Sequence, residues 1–197
     1  MGCSMIYNKT FDIQKKIFIN TLTLLRIPLS IMFNVMLLYE ERRLFLYGIL
    51  FLVIALTDFF DGKLARYYNV QSRLGAVLDV TTDFFFIFTT ACVMYKQGLL
   101  PVGMIIIILI KFTEFCITSY LFDKKLKKNK LLFFDKIGRF VAVILYSIPI
   151  IILILHALLN KYLFNVILFC VYITIGFLSI LSFYARVSKI IRYKIKI

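Results

Sequence analysis

Six long apolar runs, separated by polar or charged patches, organise the chain. They fall at about 21–39, 44–60, 76–95, 99–121, 140–158 and 162–184, and each approaches the roughly 20 residues that cross a bilayer as a helix. Backbone groups in hydrocarbon need internal hydrogen-bond partners, and these runs are too continuous for barrel strands. The pattern predicts an all-α, polytopic membrane protein with six transmembrane helices. No internal repeat, low-complexity stretch or linker marks a second domain, so residues 1–197 read as one. Within it, 1–20 form an N-terminal interfacial arm, 21–184 a helical bundle and 185–197 a basic tail. The arm mixes Asp12, Lys15 and Lys16 with apolar residues, which suits either a short helix lying in the interface or a plain tether.

Composition strengthens the membrane reading. Hydrophobic residues make up 62% of the chain and mean hydropathy is +0.93, against roughly 45–50% apolar residues in ordinary globular proteins. The net charge is +14, from 24 Lys and Arg against 10 Asp and Glu. In a soluble protein that excess would point to nucleic acid. Here the cations lie between the apolar runs, so no nucleic-acid partner is expected and the charge is read as loops meeting anionic headgroups. The second–third connection carries Lys63, Arg66 and Arg73, and the fourth–fifth carries a run from Lys124 to Arg139. The N-terminal arm and the C-terminal tail are basic as well. The opposite side has only Arg42, Arg43, Lys96 and Lys161. The asymmetry predicts both termini and the 61–75 connection in the cytoplasm. Cys3, Cys92, Cys116 and Cys170 show no metal-ligand spacing and read as small packing residues.

The chemistry concentrates in one stretch, DFFDGKLARYYNVQSRLGAVLDVTTD, from Asp58 to Asp83. It holds Asp58, Asp61, Asp79 and Asp83, four of the ten acids. Carboxylates at membrane depth normally face a cavity, a cation or a partner. Asp58 and Asp61 are three apart at the end of the second helix, and Asp79 and Asp83 are four apart near the start of the third, so each pair shares a helix face. A short connection makes these helices antiparallel neighbours, and four carboxylates then converge just inside one surface. Hard divalent cations with oxygen ligands relieve their repulsion. Two ions, Mg²⁺ or Mn²⁺, would suit displacement at phosphorus, with one carboxylate taking a proton from an attacking hydroxyl. Gly62, Ala65 and Gly75 leave room beside helix backbone, and Arg66 offers a charged fork suited to phosphate. Helix packing remains the plainer reading of Gly75 or Ala65 taken alone.

These residues, Asp58-x2-Asp61-Gly62-x2-Ala65-Arg66-x8-Gly75-x3-Asp79-x3-Asp83, resemble the signature of the CDP-alcohol phosphatidyltransferase family. The six-helix layout and the length agree as well, and the overall pattern is similar to bacterial phosphatidylglycerophosphate synthase-like members. The resemblance implies a bacterial cell-membrane enzyme whose active site faces the cytoplasm. It would transfer a phosphatidyl group from CDP-diacylglycerol to a small polar alcohol, such as glycerol 3-phosphate, and release CMP. Inositol phosphate, serine, choline or phosphatidylglycerol remain open as acceptors. It implies Asp58, Asp61, Asp79 and Asp83 as ligands of two divalent ions and Asp83 as the general base. Gly62, Ala65 and Arg66 would lie against the CDP moiety, with Ser72 contacting the nucleotide, and the protein would be a homodimer. Upstream, Asn20-x2-Thr23-x2-Arg26 resembles a motif of bacterial enzymes that use CDP-diacylglycerol, which implies Asn20 and Thr23 near the nucleotide. A helix N-cap at Asn20 followed by a snorkelling Arg26 is the other reading of that segment. The chain departs from phosphatidylglycerophosphate synthases at Val80 and Phe84, where they carry proline and lysine.

Several polar residues fall outside the signature. Lys136 and Arg139 suit either an anionic acceptor or a lipid headgroup. Lys111 and Glu114 lie three apart inside the fourth run, and either pair with each other or line an acceptor cavity. His156 reads as an interfacial polar residue. A cation-binding membrane transporter is the alternative from another class, since intramembrane acids also serve ion pathways. The grouping of the acids at one end, without an inverted repeat, disfavours it.

Overall fold

The computed structural model describes residues 2–39, 43–126 and 136–195, with side chains over 13–39, 43–121 and 137–188 and at 191. Among the described residues six helices follow one another and no strand occurs: α1 (Gly2–Tyr39), α2 (Leu44–Tyr67), α3 (Arg73–Lys96), α4 (Val102–Leu126), α5 (Lys136–Leu158) and α6 (Lys161–Ile195). Each contains a stretch long and apolar enough to cross a membrane. The all-α, six-span expectation therefore holds. Large apolar side chains stand outward along these helices, with Phe45 80% and Leu158 75% exposed, as a lipid solvent permits and water does not.

The helices outrun the apolar runs. No break occurs near residue 20: α1 is continuous from Gly2, and its apolar stretch begins at Ile13. Lys15 and Lys16 interrupt hydropathy without interrupting backbone hydrogen bonding, and the Lys15 ammonium lies 4.7 Å from the centre of the Tyr68 ring. α6 likewise continues to Ile195, into the basic tail. α2 runs past Asp61 to Tyr67, so Asp61, Gly62, Ala65 and Arg66 are helical residues and not part of a connection.

The true α2–α3 connection is short. Asn69 adopts φ 53°, Val70 N–H donates to Ala65 O at 3.1 Å and Asn69 N–H to Arg66 O at 3.2 Å. This is a Schellman closure with asparagine in the left-handed position. Val70 is buried after it. Three residues into α3, Gly75 N–H donates to Ser72 Oγ at 2.9 Å, so Ser72 is the N-cap of α3. One turn thus closes α2, opens α3 and sets their acidic residues in register.

Two compact units divide the chain, Met1–Phe86 and Ile87–Ile197. In the first, α1 packs against α2. Its inward positions are Ile19, Thr23, Arg26, Ser30, Phe33, Asn34 and Leu37, largely spaced by three and four as one helix face requires. Phe33 makes edge contacts with Tyr47 and Phe86, at centroid separations of 6.0 and 5.7 Å, and Ile54 is fully buried. In the second unit α6 packs against α5 and α4. There a Cβ at Gly103 would lie 2.6 Å from the Tyr172 hydroxyl, so a larger residue in α4 would have to displace the Tyr172 side chain of α6. The 127–135 part of the basic run, with Lys127, Lys128 and Lys130, lies outside the described residues, as do the side chains of Lys124, Lys125 and Lys136.

Candidate active site

The four aspartates meet in the first unit around one cation, Arg26. Its side chain is fully buried. Nη2 lies 3.0 Å from Asp58 Oδ1 and 2.8 Å from Asp61 Oδ2, and Nη1 lies 3.3 Å from Asp79 Oδ1 and pairs closely with Asp83 Oδ1. Nη1 also donates to Thr82 Oγ1 at 3.2 Å, whose own hydroxyl donates to the Asp79 carbonyl. A buried guanidinium is strongly unfavourable unless paired and hydrogen-bonded, and four carboxylates supply that here. The fourth turn of α1's membrane stretch therefore tethers both α2 and α3. Arg26 Nε is buried without a partner, so one of its five donors is left over.

The snorkelling reading of this segment is thereby corrected. Asn20 lies inside α1 and is not an N-cap, and Arg26 points away from lipid. Thr23, one turn earlier on the same face, donates to Asp61 Oδ2 at 2.7 Å and lies 3.1 Å from the Ile19 carbonyl. With a single proton, it serves the carboxylate, the shorter contact. Ser30 bonds back to the Arg26 carbonyl at 2.6 Å. The polar stripe of α1 thus fits the acids side chain by side chain.

Asp58, Asp61 and Asp79 each offer an oxygen within 4.8 Å of the other two. Oxygens bound to one Mg²⁺ lie closer together than this, so the three side chains would draw in to share an ion. Asp61 is buried, but Asp58, Asp79 and Asp83 side chains are 39%, 43% and 31% exposed, on the side away from the guanidinium. Hard oxygen donors, partly open to one side, suit a divalent cation. Asp83 is not in the close trio and is joined to it through Arg26.

The residues with nucleotide roles in the sequence reading divide into two groups. Asn20 and Ser72 come together at Gly75: a Cβ there would lie 3.1 Å from Ser72 Oγ and 3.2 Å from Asn20 Oδ1. Ser72 Oγ accepts from the Gly75 amide and keeps its own proton to donate. Gly62, Ala65 and Arg66 share the end of α2, with Arg66 exposed and the space over Gly62 open to 3.8 Å.

In the second unit Lys111 Nζ lies 2.6 Å from Glu114 Oε2 and 3.3 Å from the Ser179 carbonyl. Both residues also line a cavity of about 510 Å³ with apolar residues of α4 and α6, so pairing and lining a cavity coexist. Glu114 Oε1 and Ser179 Oγ are buried without partners. Arg186, read from sequence as a tail residue, is 3% exposed, donates to Thr118 Oγ1 at 2.9 Å and stacks 4.8 Å over the Phe115 ring. The spacing Ser179, Ser182, Arg186 along one helix face was the available signal. Arg139 is exposed at the start of α5, and His156 is exposed with its ring edge to Phe164.

A family model described as CDP-alcohol phosphatidyltransferase matches residues 17–186. The match spans all four aspartates, Arg26 and every helix. With six membrane-length helices and an acid cluster suited to the divalent metal on which such enzymes depend, the chain belongs to the CDP-alcohol phosphatidyltransferase family, the transferases that move a phosphatidyl group from a CDP-alcohol in phospholipid synthesis.

Proposed function

We propose that the protein transfers the phosphatidyl group of CDP-diacylglycerol to the hydroxyl of a small polar acceptor, with glycerol 3-phosphate the first candidate, and releases CMP. The observation that carries this reading is the convergence of the signature aspartates on one polar centre. Asp58, Asp61, Asp79 and Asp83 would hold two divalent ions, Mg²⁺ or Mn²⁺, which when bound supply positive charge to the diphosphate and the leaving phosphate. Asp83, partly exposed, takes the proton of the acceptor hydroxyl. The acceptor oxygen bonds to the lipid-side phosphorus, the bond from that phosphorus to the bridging oxygen breaks, and CMP leaves with the electron pair. Asn20 and Ser72 beside Gly75, and Gly62, Ala65 and Arg66 at the end of α2, bind the CDP moiety. Thr23 orients Asp61 for its role as a ligand.

The basic side chains flanking the 68–72 turn support a site opening to the cytoplasm of a bacterial cell membrane, with both termini on that side. By family analogy the working unit is a homodimer. Val80 and Phe84 depart from the phosphatidylglycerophosphate synthase pattern, so the acceptor is decided by assay. Purified protein in detergent is given CDP-diacylglycerol, Mg²⁺ or Mn²⁺, and in turn glycerol 3-phosphate, inositol phosphate, serine, choline and phosphatidylglycerol. CMP release with one acceptor, abolished by EDTA, is the expected result. Metal binding without CMP release from any acceptor would overturn it in favour of a cation-binding membrane protein.

A further inference from the structure

We infer that Arg26 is a built-in cation of the acid cluster that weakens its hold on divalent metal, so that occupancy follows the free divalent concentration. The inference rests on reading Asp58, Asp61, Asp79 and Asp83 as the metal-binding group, and deepens it. The guanidinium contacts one oxygen of each acid: Asp58 Oδ1, Asp61 Oδ2, Asp79 Oδ1 and Asp83 Oδ1. It is fully buried, whereas Asp58, Asp79 and Asp83 are 39%, 43% and 31% exposed. Arg26 thus forms the floor of the cluster and leaves its open side to other cations. It cannot leave by losing a proton, because guanidinium stays charged in proteins.

With Arg26 the group of four carboxylates has a formal charge of −3 in place of −4. A cation within 4–6 Å lowers a carboxylate's proton affinity by about one to three powers of ten, and the same field acts on a divalent ion sharing those oxygens. The guanidinium also occupies lone pairs that a metal would otherwise take. The opposing effect is that Arg26 gathers the acids. Asp58 and Asp61 are already fixed by one turn of α2, and Asp79 and Asp83 by one turn of α3. The charge effect therefore outweighs the gathering effect.

Mn²⁺ binding to full-length protein in detergent, without substrate, tests this by titration calorimetry or by the loss of the free-ion EPR signal. Arg26→Gln should bind Mn²⁺ at least about tenfold more tightly than wild type. Arg26→Lys, which keeps the charge but cannot span four acids, should fall between. Melting points in EDTA and in Mn²⁺ supply a second readout: Arg26→Gln should be the less stable protein in EDTA and gain more from Mn²⁺. Recovery of Arg26→Gln only when Mn²⁺ is present throughout purification would be the same coupling and supports the inference. Binding by both variants that is equal to or weaker than wild type overturns it, and leaves Arg26 as a positioning residue. If neither wild type nor variants bind Mn²⁺, the metal reading itself fails and takes the inference with it.

Discussion

Thr23 donates its hydroxyl proton to Asp61 at 2.7 Å, linking α1 to α2 across 38 residues of sequence. The acceptor oxygen is the one that Arg26 reaches at 2.8 Å, and Asp61 is 3% exposed, so water cannot readily replace a lost donor. Thr23→Val keeps the shape and removes the proton. A hydrogen bond to a charged group contributes about 1.5–3 kcal/mol, so the variant should melt lower, and Thr23→Ser should restore most of the loss. Thermal unfolding in detergent measures both. An unchanged midpoint in Thr23→Val would mean that Arg26 alone satisfies Asp61.

Asp83 stands apart from the close trio of acids and is partly open, which suits a group that must meet the acceptor. Asp83→Asn keeps the size and removes the base. CMP release should fall by about 10²–10⁴-fold, the usual worth of general base catalysis, while binding of CDP-diacylglycerol stays largely intact. Turnover near the wild-type rate would take the proton-accepting role away from Asp83.

Much of this was legible in the sequence, for identifiable reasons. Bilayer thickness imposes a length on apolar runs, so all six spans could be located, and acids are so unfavourable in lipid that Asp58, Asp61, Asp79 and Asp83 stood out. Helix ends were not legible. Hydropathy falls at Lys63 and Lys16, but helical hydrogen bonds do not, so α2 and α1 run on. The roles of Arg26 and Arg186 were not legible either. An arginine in or beside an apolar run has two solutions, reaching out to headgroups or inward to acids and hydroxyls, and the choice depends on neighbours far away in sequence. Only the face shared by Thr23 and Arg26 hinted at the inward solution.

Gly75 sits where Asn20 and Ser72 converge, with a Cβ there 3.2 and 3.1 Å from their oxygens. Gly75→Ala must push these side-chain tips aside. Helix propensity favours alanine by about 1 kcal/mol, while disturbing the Ser72 cap costs about 1 kcal/mol. The melting point should therefore barely move. If Asn20 and Ser72 bind the nucleotide, KM for CDP-diacylglycerol should nonetheless rise several-fold with kcat little changed. Unchanged KM in both Gly75→Ala and Ser72→Ala would separate this corner from substrate binding.

Asn69 holds the turn that registers α2 against α3, at φ 53°. Asparagine tolerates this region, and glycine more so. Asn69→Gly should leave melting and CMP release close to wild type. Asn69→Ala should lower stability by about 1 kcal/mol, the lower end of the left-handed penalty. Equal melting points for the two variants would show that the turn relaxes without disturbing the acids.

Lys111 and Glu114 are 12% and 8% exposed and 2.6 Å apart, and Glu114 already has one oxygen without a partner. Lys111→Met therefore strands a buried carboxylate, and breaking a buried pair in this way costs about 3–5 kcal/mol. Removing both charges is a different perturbation, because an apolar pair has no desolvation to offset. Lys111→Met/Glu114→Met should recover most of the lost stability, and a double-mutant cycle on melting free energies isolates the coupling. Recovery in stability with loss of CMP release would mean the pair is kept for the cavity it lines. A double variant as unstable as Lys111→Met would mean that the charge pair within α4 is the smaller part of the loss, and that what Lys111 gives α6, its bond to the Ser179 carbonyl and the packing of its stem, is the larger.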